Sequence, residues 1–231
     1  MKKLFLVANW KSHKTIQEAH TFMTTFLNTS LIEWLHKSAE SNEIVKKIVI
    51  CPPFIHLPEL AKMLEHSDLK ISLDLGAQDL SPFSVGSHTG EVAASEIEGL
   101  VKYVLVGHSE RRKDFGESDD LVAQKVRAAK KAGLEPIFCV QGKDTPVPEG
   151  VLIIAYEPVN AIGSGHPDDP EHADEIAAYF KEQKHIPFVL YGGSVTPDNV
   201  NSYTTKPHID GVLVGGASLD PRSFSEIIQR A

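Results

Sequence analysis

Three side chains suited to proton transfer follow short apolar runs in this sequence of 231 residues. Glu157, His108 and Lys11 each lie within three residues of the end of such a run. A carboxylate can act as a general base, a neutral imidazole can polarise a carbonyl, and an ammonium group stabilises a developing anion. Each residue alone has an ordinary explanation: an ion pair or cap, a buried histidine, or solvated surface. Together they predict a proton-transfer site.

Two glycine pairs near the C-terminus predict an anion site. Gly192-Gly193-Ser194 and Gly215-Gly216 each follow an apolar run directly. Glycine lets backbone amides approach an anion closely, and the loops after the last two strands of a barrel often bind phosphate. Either pair alone would indicate only a turn. The two pairs together favour a phosphate site over simple turns.

Eight apolar runs, separated by segments of helical periodicity, must position these residues. The predicted strands lie at 4–8, 48–51, 71–77, 101–107, 136–140, 151–155, 187–191 and 211–214. Alternating strands and helices indicate a parallel sheet, and eight units favour a closed (β/α)8 TIM barrel over an open doubly wound sheet. Since such barrels place their chemistry at the C-terminal ends of the strands, the reactive groups should meet there. We expect a single barrel domain over residues 1–231.

The connection between the fifth and sixth predicted strands is too short for a helix. Only residues 141–150 remain, and they include Pro146 and Pro148. This length is near the shortest that a parallel connection allows. We therefore predict that the helix between strands 5 and 6 is missing or reduced to a short loop. The barrel wall should then be thinly covered there, with an exposed apolar patch.

The composition and charge of the chain indicate which binding partners and which cellular compartment to expect. The net charge is −8 without a basic run, which argues against nucleic acid and anionic membranes as partners. The apolar start is too short for a signal peptide, and no apolar run approaches the ~20 residues of a membrane span. We expect a cytoplasmic protein in which Cys51 and Cys139 are buried free thiols. The histidines show no zinc-type spacing.

Motifs along the whole chain resemble, in order, those of the triosephosphate isomerase family. The matching segments are Asn9-Trp10-Lys11, Thr89-Gly90-Glu91, Gly107-His108-Ser109-Glu110-Arg111-Arg112, Tyr156-Glu157-Pro158-Val159, Ala161-Ile162-Gly163, Tyr191-Gly192-Gly193-Ser194-Val195 and Leu213-Val214-Gly215-Gly216-Ala217-Ser218. The resemblance implies interconversion of dihydroxyacetone phosphate and D-glyceraldehyde 3-phosphate through an enediol(ate), in glycolysis and gluconeogenesis. It implies no cofactor and no metal. Triosephosphate isomerase is itself a standard example of a carboxylate base paired with a neutral imidazole, so those roles come with the resemblance.

The resemblance also implies a role for each matching residue. Glu157 would move the proton between adjacent carbons, and neutral His108 would polarise the carbonyl and shuttle hydroxyl protons. Lys11 would stabilise the negative intermediate, and Asn9 would help hold the substrate oxygens. Backbone amides would hold the phosphate dianion at Gly163, Ser194, Gly215 and Gly216.

Four further residues would support the site. Glu110 would lie beside Lys11 and Ser109 and order them. Arg111 would pair with Glu91 and brace the loop that follows the third strand, although an ordinary surface pair is the alternative for both.

Assembly is also implied by the resemblance. Family members are commonly homodimers, in which the loop around Thr89 reaches the partner's active site. The loop 78–91 is long enough to do so. We expect a homodimer, with a higher oligomer as the alternative.

Two departures from the family coincide. The family usually has Trp where this chain has Asn160, and Glu where it has Gly142. In family members the Trp and Glu side chains contact each other when the lid, the loop that follows Glu157, is open. Their joint absence predicts a less restrained N-terminal lid hinge. Comparing turnover and phosphate elimination between wild type and Asn160→Trp tests this, and a wild type that matches a typical family member in both would contradict it.

Two other functions stay open at the level of sequence. One is a non-catalytic protein that binds a phosphate ligand on the same scaffold, and the other is a different phosphosugar isomerase or lyase. The presence of Asn9, Lys11, His108 and Glu157 favours catalysis.

Overall fold

Parallel strands close into a barrel in the computed structural model, which describes residues 2–28, 44–65, 73–158 and 167–231. The strands are β1 (Lys2–Asn9), β2 (Ile44–Cys51), β3 (Leu73–Ala77), β4 (Tyr103–Val106), β5 (Glu135–Val140), β6 (Ile153–Tyr156), β7 (Phe188–Tyr191) and β8 (Gly211–Val214). Each strand pairs with the next one in sequence, and β8 pairs with β1. The predicted TIM barrel is confirmed.

Helices surround the barrel. In the described ranges they are α1 (Ile16–Leu27), α2 (Leu57–Glu65), α3 (Ala94–Ile97), α4 (Ser109–Phe115), α5 (Asp119–Lys131), α6 (Pro170–Lys184), α7 (Val200–Thr204) and α8 (Pro221–Arg230). Two of these helices begin where an N-cap residue followed by proline predicts a helix start, at Asp169-Pro170 and at Asp220-Pro221. The Asp169 side chain accepts from the first amides of α6, and the Asp220 side chain does the same for α8.

Thr196-Pro197 also pairs a cap residue with proline, which predicts a helix start there, but this prediction is wrong. The Asn199 side chain accepts from the Thr196 amide at 2.8 Å and donates to the Ser194 carbonyl at 3.0 Å, which folds residues 196–199 into a turn. The helix α7 therefore begins only at Val200.

The strands are buried on both faces, as expected of a closed parallel barrel. Alternate residues fill the interior with a cluster made of Phe5, Val7, Val49, Cys51, Tyr103, Leu105, Ile137, Cys139, Ile153, Ala155, Leu190 and Leu213. A larger cluster lies between strands and helices. Both cysteines are free and buried, which confirms that expectation.

The connection from β5 to β6 contains no helix over residues 141–152, all of which the structure describes. The predicted loss of this helix is confirmed. The predicted apolar patch is largely wrong, because Val151 is buried and Val147 packs against the core. Leu152, 42% exposed, is the large apolar side chain that the connection leaves open.

None of the helices in the described ranges combines the length and the apolar character that crossing a bilayer requires.

Candidate active site

Alternation along the strands carries Asn9 and Glu157 into the mouth of the barrel. Asn9 continues the inward series of β1 after Phe5 and Val7. Glu157 continues the inward series of β6 and is 1% exposed. Because successive strand side chains point to opposite faces, the two-residue period fixes the direction of both polar groups.

A glycine turn after β4 places His108. Gly107 has φ 72°, and a Cβ there would lie 2.8 Å from the Val122 side chain, so only glycine fits without a shift. His108 then caps α4, and its Nδ1 accepts from the Glu110 amide at 3.2 Å. Since that contact needs a lone pair on Nδ1, the neutral ring carries its proton on Nε2.

The base candidate and the imidazole touch. Glu157 Oε1 lies 3.0 Å from His108 Nε2, and Glu157 Oε2 accepts from the Ser109 amide at 2.8 Å. Both carboxylate oxygens are therefore engaged by groups at the start of α4. The predicted supporting residue Ser109 acts here through its backbone.

Opposing effects act on the imidazole. Burial lowers the pKa of His108, but the carboxylates of Glu157 and Glu110 raise it by more, so the net pKa lies above the usual value. Lys11 lowers it slightly. The raising effect lasts only while Glu157 lies against the ring, because that carboxylate is its largest source.

Lys11 is held from several directions. Its Nζ lies 2.5 Å from Glu110 Oε1, its amide donates to Asn9 Oδ1 at 3.0 Å, and its backbone has a left-handed φ of 51°. Gln78 Nε2 donates to the carbonyls of both Lys11 and Cys51 at 2.9 Å. The sequence analysis missed Gln78 as part of the site. Its place directly after β3 was the available signal.

The predicted groups line one cavity of about 250 Å³ in the described part of the chain. Its lining consists of Asn9, Lys11, His108, Glu157, Gly192, Gly193, Ser194, Val195, Thr196, Leu213, Gly215, Gly216 and Ala217. A Cβ on Gly215 would lie 3.4 Å from Lys11 Cε, so the ammonium stem passes close to the second glycine pair. Gly163 and Asn160 lie outside the described residues.

Arg111 has different partners from the one implied. Its guanidinium contacts Asp79 at 2.9 Å and Glu117 at 2.6 Å, and Lys125 joins both carboxylates. Within this single chain and its described ranges, Arg111 makes no salt bridge with Glu91, because Asp79 and Glu117 already occupy its guanidinium. Glu91 and Thr89 are both exposed.

We expect kcat/KM to fall on acidification with an apparent pKa above 6.5, the usual value for histidine. A further proton would remove the neutral His108–ionised Glu157 pair, and the raised pKa places that step higher than for a free imidazole. The pH–rate profile of the wild type measures this, with the NMR titration of His108 as control. An acid limb near the usual carboxyl range would contradict it.

A TIM barrel whose mouth joins a buried carboxylate, an imidazole and a lysine beside two glycine-rich loops holds the groups that a proton-transfer enzyme needs. The model of the family described as triosephosphate isomerase matches residues 4–151 and 145–231, and the two matches meet in the β5–β6 connection. The chain belongs to the triosephosphate isomerase family.

Individual relatives agree over nearly their full length. The chain is 38% identical over 251 residues to triosephosphate isomerase of Nostoc punctiforme, covering 99% of this chain and 98% of the relative. It is 39% identical over 264 residues to triosephosphate isomerase of Symbiobacterium thermophilum, covering 100% of this chain and 98% of the relative. It is 37% identical over 262 residues to triosephosphate isomerase of Dictyoglomus thermophilum, covering 99% of this chain and 100% of the relative.

Proposed function

We propose that this chain interconverts dihydroxyacetone phosphate and D-glyceraldehyde 3-phosphate through an enediol(ate) intermediate, as a step of glycolysis and gluconeogenesis. The observation that carries the proposal is the contact of 3.0 Å between Glu157 and His108 at the wall of the cavity. A base and a neutral donor that touch can act on adjacent atoms of one small substrate.

Proton transfer follows from this contact. Glu157 takes the proton from the carbon next to the carbonyl, and His108 donates its Nε2 proton towards the carbonyl oxygen. In the structure these two groups satisfy each other. A substrate replaces that contact with one to each group, which leaves the carboxylate free to act as base. Glu157 then returns its proton to the neighbouring carbon, while the hydroxyl on the first carbon gives its proton back to His108 and becomes the new carbonyl, which completes the isomerisation.

The remaining groups stabilise charge. Lys11 supplies a cation for the enediolate oxygen, and Asn9 helps to hold the substrate oxygens. Both side chains line the cavity. The phosphate dianion would be held by backbone amides of Gly163, Ser194, Gly215 and Gly216. The second glycine pair supports this role, because a Cβ on Gly216 would meet nothing within 4 Å and its surface is open to a ligand.

Substrate size is consistent with a triose phosphate. A cavity of about 250 Å³ is small beside the ~300–1,000 Å³ pockets of drug-sized ligands.

A coupled assay tests the function. The full chain is produced in a host that lacks its own triosephosphate isomerase and is then given D-glyceraldehyde 3-phosphate. An NADH-dependent reductase consumes the dihydroxyacetone phosphate that forms, and the loss of NADH reports turnover. Turnover that disappears in Glu157→Gln supports the proposal. An inactive wild type that still binds inorganic phosphate would support the non-catalytic binding protein instead.

We also propose a cytoplasmic homodimer of single-domain protomers. The support for an interface is a set of exposed apolar side chains in the segments that follow four neighbouring strands, β1 to β4. They are Ile16, Ile55, Phe83, Val85 and Phe115, each at least 48% exposed. An exposed apolar surface of this kind often marks a protein contact.

Light scattering at micromolar concentration should therefore give the mass of two chains. Val85→Asp should shift the protein towards the monomer, because it places a charge in the proposed contact. Leu152→Asp is the matched control, since Leu152 lies at the β5–β6 connection on another side of the barrel. A fully active wild-type monomer would refute the dimer, and a larger mass would indicate the higher oligomer.

A further inference from the structure

The Asp168 carboxylate makes hydrogen-bond contacts with residues of β6 and of the start of α6. Its Oδ2 accepts from the Tyr156 hydroxyl at 3.2 Å and lies 2.8 Å from His172 Nδ1. Its Oδ1 accepts from the Asp169 amide at 3.0 Å. The side chain is 20% exposed, and the Tyr156 residue is 4% exposed. The catalytic scheme above uses none of these contacts.

The first link runs from Asp168 to the base candidate. Tyr156 ends β6 and directly precedes Glu157. Glu157 Cγ lies 3.1 Å from the position that a Cβ on Gly192 would take, so the carboxylate stem packs between β6 and the loop after β7. A Tyr156 ring that is tied at its hydroxyl limits how far the end of β6 can rotate. The direction of the Glu157 side chain depends on that rotation.

A second link runs to the end of β7 and to α7. The Asp168 amide donates to the Tyr191 hydroxyl at 2.8 Å, and the Tyr203 hydroxyl donates to the Asp168 carbonyl at 2.6 Å. The rings of Tyr191 and Tyr203 stack with their centroids 3.9 Å apart. These bonds use the backbone of Asp168. A substitution of its side chain leaves them in place, and they hold residue 168 while the carboxylate is tested.

We propose that the Asp168 carboxylate is a positioning group that fixes Tyr156 and, through it, holds the Glu157 carboxylate against His108. In the described ranges Asp168 is not among the residues that line the cavity, and its bond to Tyr156 is its route to the neighbouring Glu157. The consequence for turnover rests on the proposed isomerase function, whereas the position of Glu157 can be measured without substrate.

The experiment compares Asp168→Ala with Asp168→Asn. Both variants lose the same charge. Asparagine keeps the contacts, because Oδ1 still accepts from the Asp169 amide and Nδ2 can donate to the Tyr156 hydroxyl and His172 Nδ1. Tyr156→Phe removes the other end of the bond. His172→Ala removes the exposed partner and leaves the Tyr156 bond intact, so it serves as a matched control.

The first readout is the pKa of His108 by NMR in the substrate-free protein. Glu157 raises this pKa through direct contact, so a displaced Glu157 lowers it. We expect a lower His108 pKa in Asp168→Ala and Tyr156→Phe, and a value close to wild type in Asp168→Asn and His172→Ala. The double variant Asp168→Ala/Tyr156→Phe should shift no further than either single variant, because one bond is lost in each.

The second readout is kinetic. Asp168→Ala should lower kcat about tenfold, within the range expected when a reacting group is misplaced by less than 1 Å, with KM changed less than twofold. Asp168→Asn should recover most of kcat. A purely structural role would lower the melting temperature and leave kcat of the folded enzyme unchanged.

Equal His108 pKa and equal kcat in Asp168→Ala and Asp168→Asn would overturn the positioning role. An inactive wild type in which the His108 pKa still responds as expected would support the positioning role and refute the isomerase proposal. The two failures are therefore distinguishable.

Discussion

Replacing Glu157 by glutamine should lower kcat roughly a thousandfold and change KM by only a few-fold, within the range that a positioned general base supplies. Glutamine has nearly the same shape and can still accept from the Ser109 amide, the 2.8 Å contact of the wild type. It has no basic oxygen for a proton taken from carbon. The loss should therefore fall on the chemical step and spare binding.

Glu157→Asp is the control for position, because it keeps the carboxylate and withdraws it by one methylene. We expect a loss of about a hundredfold, as for a base displaced by about 1 Å. Steady-state kinetics in both directions measure both variants. Retention of more than a tenth of wild-type kcat in Glu157→Gln would mean that another group removes the proton.

Replacing Lys125 by methionine should reduce the free energy of unfolding by about 3–5 kcal/mol, the usual cost of breaking a buried ion pair from one side. Lys125 is 3% exposed, and its Nζ lies 2.5 Å from Glu117 and 2.6 Å from Asp79. Burial already raises the pKa of Asp79 above the usual value despite the cations beside it. Without Lys125, two carboxylates would share the single guanidinium of Arg111.

Denaturant unfolding and calorimetry measure this effect, and the melting temperature should fall by roughly 10 °C for a chain of this size. The double variant Asp79→Asn/Lys125→Met restores the balance of charge and keeps the contact of 2.6 Å between Arg111 and Glu117. It should recover at least half of the loss. A single variant as stable as wild type would show that methionine packing offsets the ion pairs.

The barrel and the gathering of the site could be predicted because both follow from local patterns. Short continuous apolar runs locate the strands, and polar residues at their ends must meet once the strands close into a barrel. Asn9, His108 and Glu157 are all of this kind. The missing helix after β5 is equally local, since the number of residues available decides it.

Most of the features that the sequence did not predict depend on contacts between residues that lie far apart in the chain. The position of Gln78 directly after β3 places it near the mouth of the barrel, but the sequence does not indicate that its amide donates to the carbonyls of Lys11 and Cys51. Arg111 finds Asp79 and Glu117 because β3, α4 and α5 meet in space. At Thr196 the local signal is misleading, because residues 197–199 form a turn, and the helix begins only at Val200.

The short β5–β6 connection also changes the entropy of assembling the barrel. Ile137 pairs with Ile153, 16 positions later, whereas Tyr103 of β4 pairs with Glu135, 32 positions later. Doubling the length of a closed loop costs about 0.6 kcal/mol of chain entropy. Loss of one helix therefore lowers the entropic cost of closing the chain at this pair, and it makes β5–β6 the parallel contact nearest in sequence among the paired strands of the described ranges.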